Sequence, residues 1–230
     1  MHNEEINKAR LFLYNLLSQL FVEEYAKNNT EKIIEDLEVL SKNSFDSKSY
    51  RAVSYFLSKT FMKIEKFEFA YNFLDEEALT ILKSKMMKFP IENLMPTILE
   101  LNLMGNKFLS LEAIKHLKYI LERIKGIQTL NLSKTFINYE TFVTLAPCFK
   151  RVHHTLILSN NIFKDQLPEN LNYWAHLKQL NLSRTQLTGT SIHNLAKFIR
   201  NEKKLQWTTL DLSHNSIYNE DCKLLLEAFR

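Results

Sequence analysis

Glycine, proline and cysteine are all scarce in this chain: 3, 4 and 2 in 230 residues. So little glycine and proline excludes collagen-like repeats, low-complexity linkers and a glycine-rich phosphate loop. Two cysteines, Cys148 and Cys222, cannot make a disulfide scaffold. Both sit in helical patterns without a His and Asp/Asn completing a nucleophilic site, so both are expected to be reduced, buried small hydrophobes. No tract of one charge sign stands out either. A net charge of +4 is mild for this length, which argues against nucleic acid as the partner. Long apolar runs are missing as well. The stretch 11–21 is broken by Asn15, Ser18 and Gln19 and is too short to span a bilayer, and the acidic start is unlike a secretory signal.

A repeat is present instead. A large residue, two variable positions, apolar-x-apolar, two variable positions, Asn or Thr, x and an apolar residue recur six times. The copies lie at 64–74, 98–108, 127–137, 153–163, 177–187 and 207–217, with starts 34, 29, 26, 24 and 30 residues apart. The Asn/Thr position is filled by Asn72, Asn106, Thr135, Asn161, Thr185 and Asn215. One such unit cannot bury its own apolar face, so the units must stack into a solenoid with a continuous core.

The period-2 part predicts a strand in each unit, with Leu130 and Leu132 inward and Asn131 outward. The stretch after it is helix-compatible; around residue 111, Ala113, Ile114, Leu117 and Leu121 share one face. Seven residues beyond each Asn/Thr stand Leu79, Ala113, Phe142, Pro168, Ile192 and Cys222, expected inward except for Pro168. Pro168 and the short spacing predict an irregular helix in the fourth unit. The Asn and Thr side chains are expected to tie turns together: an amide donates and accepts at once, whereas a hydroxyl does part of this. That role is structural, not catalytic.

Residues 1–60 lack the repeat. Three helices are expected there, covering the edge of the first unit. The domains are therefore a helical cap at 1–60 and about six repeats over 61–230. The last helix, with Leu224, Leu225 and Leu226 read as inward, leaves an apolar edge at Arg230. A continuing segment or self-association through that edge would cover it.

The segments L-N-L-M-G-N-K-F, L-N-L-S-K-T-F-I, L-I-L-S-N-N-I-F, L-N-L-S-R-T-Q-L and L-D-L-S-H-N-S-I resemble leucine-rich repeats. Their length and helical second halves are similar to the ribonuclease-inhibitor-like subclass. The resemblance implies an α/β solenoid, with parallel strands on a concave face, helices outside, and a surface for binding protein. Irregular repeat lengths and abundant Lys, Asn, Ile and Phe resemble leucine-rich-repeat effectors of intracellular bacterial pathogens. This implies action in a cytoplasm, that of the cell of origin or of a host reached by a dedicated secretion system.

Outward strand positions nominate Glu100, Asn102, Thr129, Asn131, Thr155, Ile157, Gln179, Asn181, Thr209 and Asp211 for a protein partner. Lys134, Arg184 and His214 (with Tyr71) lie just past the strands as a basic rim. The histidines give no metal spacing: His153 takes an inward position, and His116, His176, His193 and His214 fall in different repeats. Trp207 also takes the inward position, while Trp174, near the end of the fourth helix, is expected to be partly exposed. No catalytic motif and no cofactor signature is present. The function expected is a non-enzymatic protein-binding module. The alternative is an activator of a small GTPase, which some repeat proteins of this subclass are, with Arg184 as the exposed arginine. A fused ubiquitin ligase would need a catalytic domain beyond the last repeat, where only 219–230 remain.

Overall fold

A computed structural model describes residues 66–72, 74–87, 97–168 and 170–230. The cap expected over 1–60 lies outside them, as do Ile64 and Phe73 of the first repeat. Six strands alternate with helices. The strands are β1 (Lys66–Glu68), β2 (Ile98–Asn102), β3 (Ile127–Asn131), β4 (Val152–Ile157), β5 (Gln179–Asn181) and β6 (Thr209–Asp211). The helices are α1 (Glu76–Met86), α2 (Leu111–Glu122), α3 (Tyr139–Leu145), α4 (Gly189–Asn201) and α5 (Asn219–Ala228). The strands form one parallel sheet in chain order. Parallel rungs joined by helices on one side are the solenoid that the repeat demands.

The register repeats from rung to rung: Phe67, Leu101, Leu130, Leu156, Leu180 and Leu210 are successive partners. The next apolar position continues the stack. The N–H groups of Leu103, Leu132, Leu158 and Leu182 donate to the carbonyls of Asn131, Ile157, Asn181 and Asp211 on the following rung. Leu101, Leu130, Leu156 and Leu180 are buried, as are Ala113, Ile114, Leu117 and Leu121 on the inner face of α2. α2 starts where Ser110 accepts a hydrogen bond from the Ala113 N–H, and α3 starts at an Asn138–Thr141 capping box.

The fourth unit has only a 3-10 turn, Asn172–Trp174, in place of a helix, as Pro168 predicts. Aromatic rings occupy the space instead. Trp174 is fully buried, with Phe142 at 5.5 Å and Tyr173 at 5.8 Å, both edge-on. This corrects the expectation that Trp174 is partly exposed: a missing helix leaves a void that a large side chain fills. Trp207 is half-buried rather than core; its indole N–H donates to the Trp174 carbonyl at 2.8 Å.

Three further expectations are overturned. His153 is exposed, and Val152 takes the buried place. Strand β4 carries one extra residue, for Ile127 pairs with Val152 but Thr129 pairs with Thr155. Counting back from Leu156 therefore lands one residue late, the signature of a bulge. Cys222 is exposed, because α5 packs only against α4 among the described helices. Leu226 is 67% exposed for the same reason, while Leu224 and Leu225 pack on the core. Cys148 is buried, and burial pushes its thiol up to about 12.

The Asn and Thr positions do different work. Asn161 Oδ1 accepts from the N–H groups of Thr135 and Ile137 at 3.2 and 3.0 Å, and its amide donates to the carbonyls of Leu132 and Leu158 at 2.8 Å. Asn106 clamps the first unit in the same way through Asn72, Leu74, Phe69 and Leu103. Asn215 clamps the fifth through Thr185, Leu187, Leu182 and Leu212. Thr135 and Thr185 reach no earlier unit with their side chains. Their hydroxyls return to the carbonyls of Leu132 and Leu182 in their own turns. Their backbone carbonyls instead accept from Phe108 and Phe163 of the preceding unit. Among the described residues, those two turns alone have a left-handed residue after the Asn/Thr position, Phe136 at φ 62 and Gln186 at φ 63. The junctions thus alternate between side-chain clamps and backbone clamps.

A second device crosses units at α4. Its N-cap residue, Thr188, makes no capping bond of its own. Asp165 of the fourth unit supplies it, accepting from the N–H groups of Thr188 and Ser191 at 2.8 and 2.9 Å. Partial burial works against the Asp165 charge, but these hydrogen bonds outweigh it and hold the carboxyl well below the usual range.

Two outcomes follow for stability. In urea unfolding, Asn161→Ala should cost roughly 3 kcal/mol, because two N–H groups and two carbonyls lose a buried partner, whereas Thr135→Val should cost roughly 1 kcal/mol. Equal losses would contradict the alternation. Asp165→Ala should cost about 1 kcal/mol at neutral pH as a lost cap. A depressed folded pKa stabilises above the unfolded value near about 4 and is lost as pH falls. The gap between wild type and Asp165→Ala in thermal melts should therefore narrow below about pH 4, and a constant gap would be the contrary result.

Candidate functional site

Strand alternation places every outward candidate on the concave face, and the parallel register lines them up in rows. One row runs Lys66, Glu100, Thr129, Thr155, Gln179, Thr209, and the next runs Glu68, Asn102, Asn131, Ile157, Asn181, Asp211. Gln179 and Thr209 are exposed, and Glu100, Thr129, Thr155, Asn131, Ile157, Asn181 and Asp211 are half-exposed. Asn102, at 9%, is nearly buried.

The second row is largely committed to the fold. Oδ1 of Asn102, Asn131, Asn181 and Asp211 accepts from the N–H two residues on, at Met104, Ser133, Ser183 and Ser213. These side-chain turns end β2, β3, β5 and β6. The Ser133 and Ser183 hydroxyls bond the same amide oxygens. The Ser213 hydrogen bonds, with the Asn181 amide, hold the Asp211 carboxyl below its ordinary range. Sequence pattern marks these residues as outward; it does not reveal that half of each head group is already used.

The rest of each head group differs along the row. Toward one end the Asn102 amide donates to both Glu68 carboxylate oxygens at 2.8 and 2.9 Å. At the other end the Asn181 amide donates to Asp211 at 2.9 Å. The Asn131 amide N–H groups have no acceptor among the described residues, and their next neighbour in the row is apolar Ile157. Thr129 and Thr155 flank them, and the Thr155 hydroxyl donates to Gln179 Oε1 at 3.3 Å. The centre of the hollow is therefore uncharged, with donors open and one apolar contact. Such a surface suits hydrogen bonding and packing against protein.

The rim has its own geometry. The residue before each Asn/Thr position is left-handed in all six units: Tyr71, Gly105, Lys134, Asn160, Arg184 and His214, with φ from 55 to 74. Their N–H groups, from Tyr71 to Arg184, donate to the next rung's carbonyls, so the turn is held open in one conformation. The predicted Lys134, Arg184 and His214 stand exposed in this row, and Arg184 Nη2 lies 3.4 Å from His214 Nε2. Gly105 is the one position where no side chain fits, since a Cβ there would come within 2.3 Å of the Tyr71 ring.

A second line, one residue past the Asn/Thr position, runs beside the row and was not legible as part of a site. It brings Lys107, Phe136 and Ile162 against Tyr71, Gly105, Lys134 and Asn160, enclosing a cleft of about 510 Å³. Lys134 Nζ lies 3.3 Å from the Tyr71 hydroxyl and 6.0 Å from its ring centre, and Lys107 Nζ lies 5.8 Å from the Phe136 ring centre. The available signal was the alternation of basic and aromatic residues around the turn. Among the described residues no cluster of His, Cys, Asp or Glu is set to hold a metal, and no helix is long and apolar enough to cross a membrane.

Comparison with known proteins agrees with this architecture. The Leucine Rich Repeat family matches residues 176–198. Protein NLRC5 of Ictalurus punctatus is 29% identical over 145 residues, 57% of this chain and 8% of that protein's length. The chain therefore spans less than a tenth of that relative. With the six-rung parallel sheet, these matches support a leucine-rich-repeat protein.

Proposed function

We propose that the chain is a non-enzymatic protein-binding module whose concave face takes a protein partner at the third to fifth rungs. The observation that carries this reading is the contrast along the second concave row. Its two ends are closed by amide–carboxylate pairs, whereas the Asn131 donors between Thr129, Thr155 and Ile157 are open. Open donors beside an apolar side chain are what a partner's backbone carbonyls and small apolar groups need. The missing charge also removes a large desolvation cost from the centre of the contact. Ribonuclease-inhibitor-like subclass and use as a bacterial effector on a host protein are finer parts of the proposal; repeat length and composition support them.

A second reading, activation of a small GTPase, draws on Arg184, which stands exposed on the rim beside His214. A GTP-turnover assay with and without the chain decides it, and absence of acceleration removes it.

The concave reading is tested by proximity labelling with the intact chain and with Thr129→Arg, Thr155→Arg and Gln179→Arg combined. These side chains end no strand turn, so the fold should survive by circular dichroism. Partners labelled by the intact chain should fall by about tenfold, as expected when bulky charge enters the centre of a contact. Unchanged labelling would overturn the concave assignment.

A further inference from the structure

We propose that the rim cleft between Tyr71 and Phe136 is a docking site for an acidic, apolar segment of a protein partner, each carboxylate pairing with Lys107 or Lys134. The inference rests on the protein-binding reading above and adds a surface and a chemistry to it. The cleft holds two ammonium groups with no ion-pair partner among the described residues. Each lies against an aromatic ring, Lys107 on Phe136 and Lys134 on Tyr71, which keeps both stems folded over the cleft. The rings and Ile162 are apolar walls, and Phe136 is 44% exposed, whereas most of the other described Phe side chains line the core. An incoming carboxylate can pair with either ammonium from the open side, leaving the stacked ring in place.

The backbone fixes this arrangement in advance. Tyr71, Gly105, Lys134, Phe136 and Asn160 are all left-handed. Non-glycine residues hold that conformation at a cost, so the turn edge is a rigid frame rather than a mobile loop. Gly105 is required because the Tyr71 ring lies on it. A preorganised cleft loses little entropy on binding.

Charge decides the occupant. The six left-handed rim positions contain no acidic residue, and they continue the positive edge to Arg184. The cleft also has no arginine for bidentate phosphate contact. A short acidic segment with an apolar side chain between its carboxylates fits both walls and charges, whereas a nucleic acid fits only the charges.

The test is fluorescence anisotropy of the full chain with a labelled peptide in which Asp and Glu alternate with Leu and Phe. An Asn/Gln version of the peptide and a single-stranded RNA serve as competing probes. The acidic peptide should bind at low salt, and the Asn/Gln version should bind at least about tenfold more weakly. Lys107→Glu with Lys134→Glu should weaken the acidic peptide by about tenfold or more, while Lys150→Glu on the outer side should leave it unchanged. Where circular dichroism shows the charge-reversed pair unfolded, Lys107→Gln with Lys134→Gln takes its place. Equal binding of the neutral peptide, no loss in the Lys107/Lys134 pair, or binding of RNA in preference to peptide overturns the proposal. The variant with arginine at Thr129, Thr155 and Gln179 should keep the peptide, so loss of concave labelling and loss of rim binding are separate failures.

Discussion

A single buried amide, repeated at every second turn, is the constraint on which the rest of this molecule depends. A strand that must turn off a sheet leaves N–H and carbonyl groups facing the core, where each orphan is expensive. Asn106, Asn161 and Asn215 each answer two N–H groups and two carbonyls at once, and both N–H groups and one carbonyl belong to the preceding unit. The side chain is therefore a turn closure and an inter-repeat bond together. Leucine burial supplies the driving force for stacking, but it is non-directional; the amides set where each rung begins and ends.

The proposed binding surfaces are by-products of that closure. Once the chain leaves the strand at a fixed point, the residue before the Asn or Thr is forced left-handed, and its side chain is displayed along one edge. In this way Tyr71, Lys134, Arg184 and His214, far apart in sequence, become neighbours. The same closure ends β2, β3, β5 and β6 with a side-chain turn from Asn102, Asn131, Asn181 or Asp211, which uses one oxygen of each group and leaves the asparagine amides as donors. What the fold does not consume is left for the binding proposed above: Thr129, Thr155, Gln179 and the Asn131 amide in the hollow, and the lysines and rings of the rim.

The strands, their register and the alternation of Asn with Thr are legible in the sequence, because period-2 burial and a fixed polar offset leave few other foldings. What fails is local. The His153 misplacement comes from one extra residue in β4, and a bulge leaves the hydrophobic spacing on either side intact. Trp174 reads as partly exposed only if a helix is assumed to cover the fourth unit; where Pro168 removes it, the indole becomes the filling. The left-handed row is invisible because only Gly105 of its six members is glycine. The exposed Cys222 and Leu226 follow from packing on one side only, which periodicity does not encode. Of the candidate site, the sequence identifies the face but not which atoms on it are spent, and it misses Lys107 and Phe136 because they lie past the strand on the far side of the turn.

Backbone amide hydrogen exchange tests the amide-clamp account most directly. The N–H groups of Leu74, Ile137 and Leu187 donate to an asparagine side chain rather than to any strand or helix. They should nonetheless exchange as slowly as the core strand amides of Leu103, Leu132 and Leu158, opening only with cooperative unfolding of the stack. Exchange at the rate of exposed turn amides would mean that the asparagines decorate the turns rather than hold them, and would contradict the account.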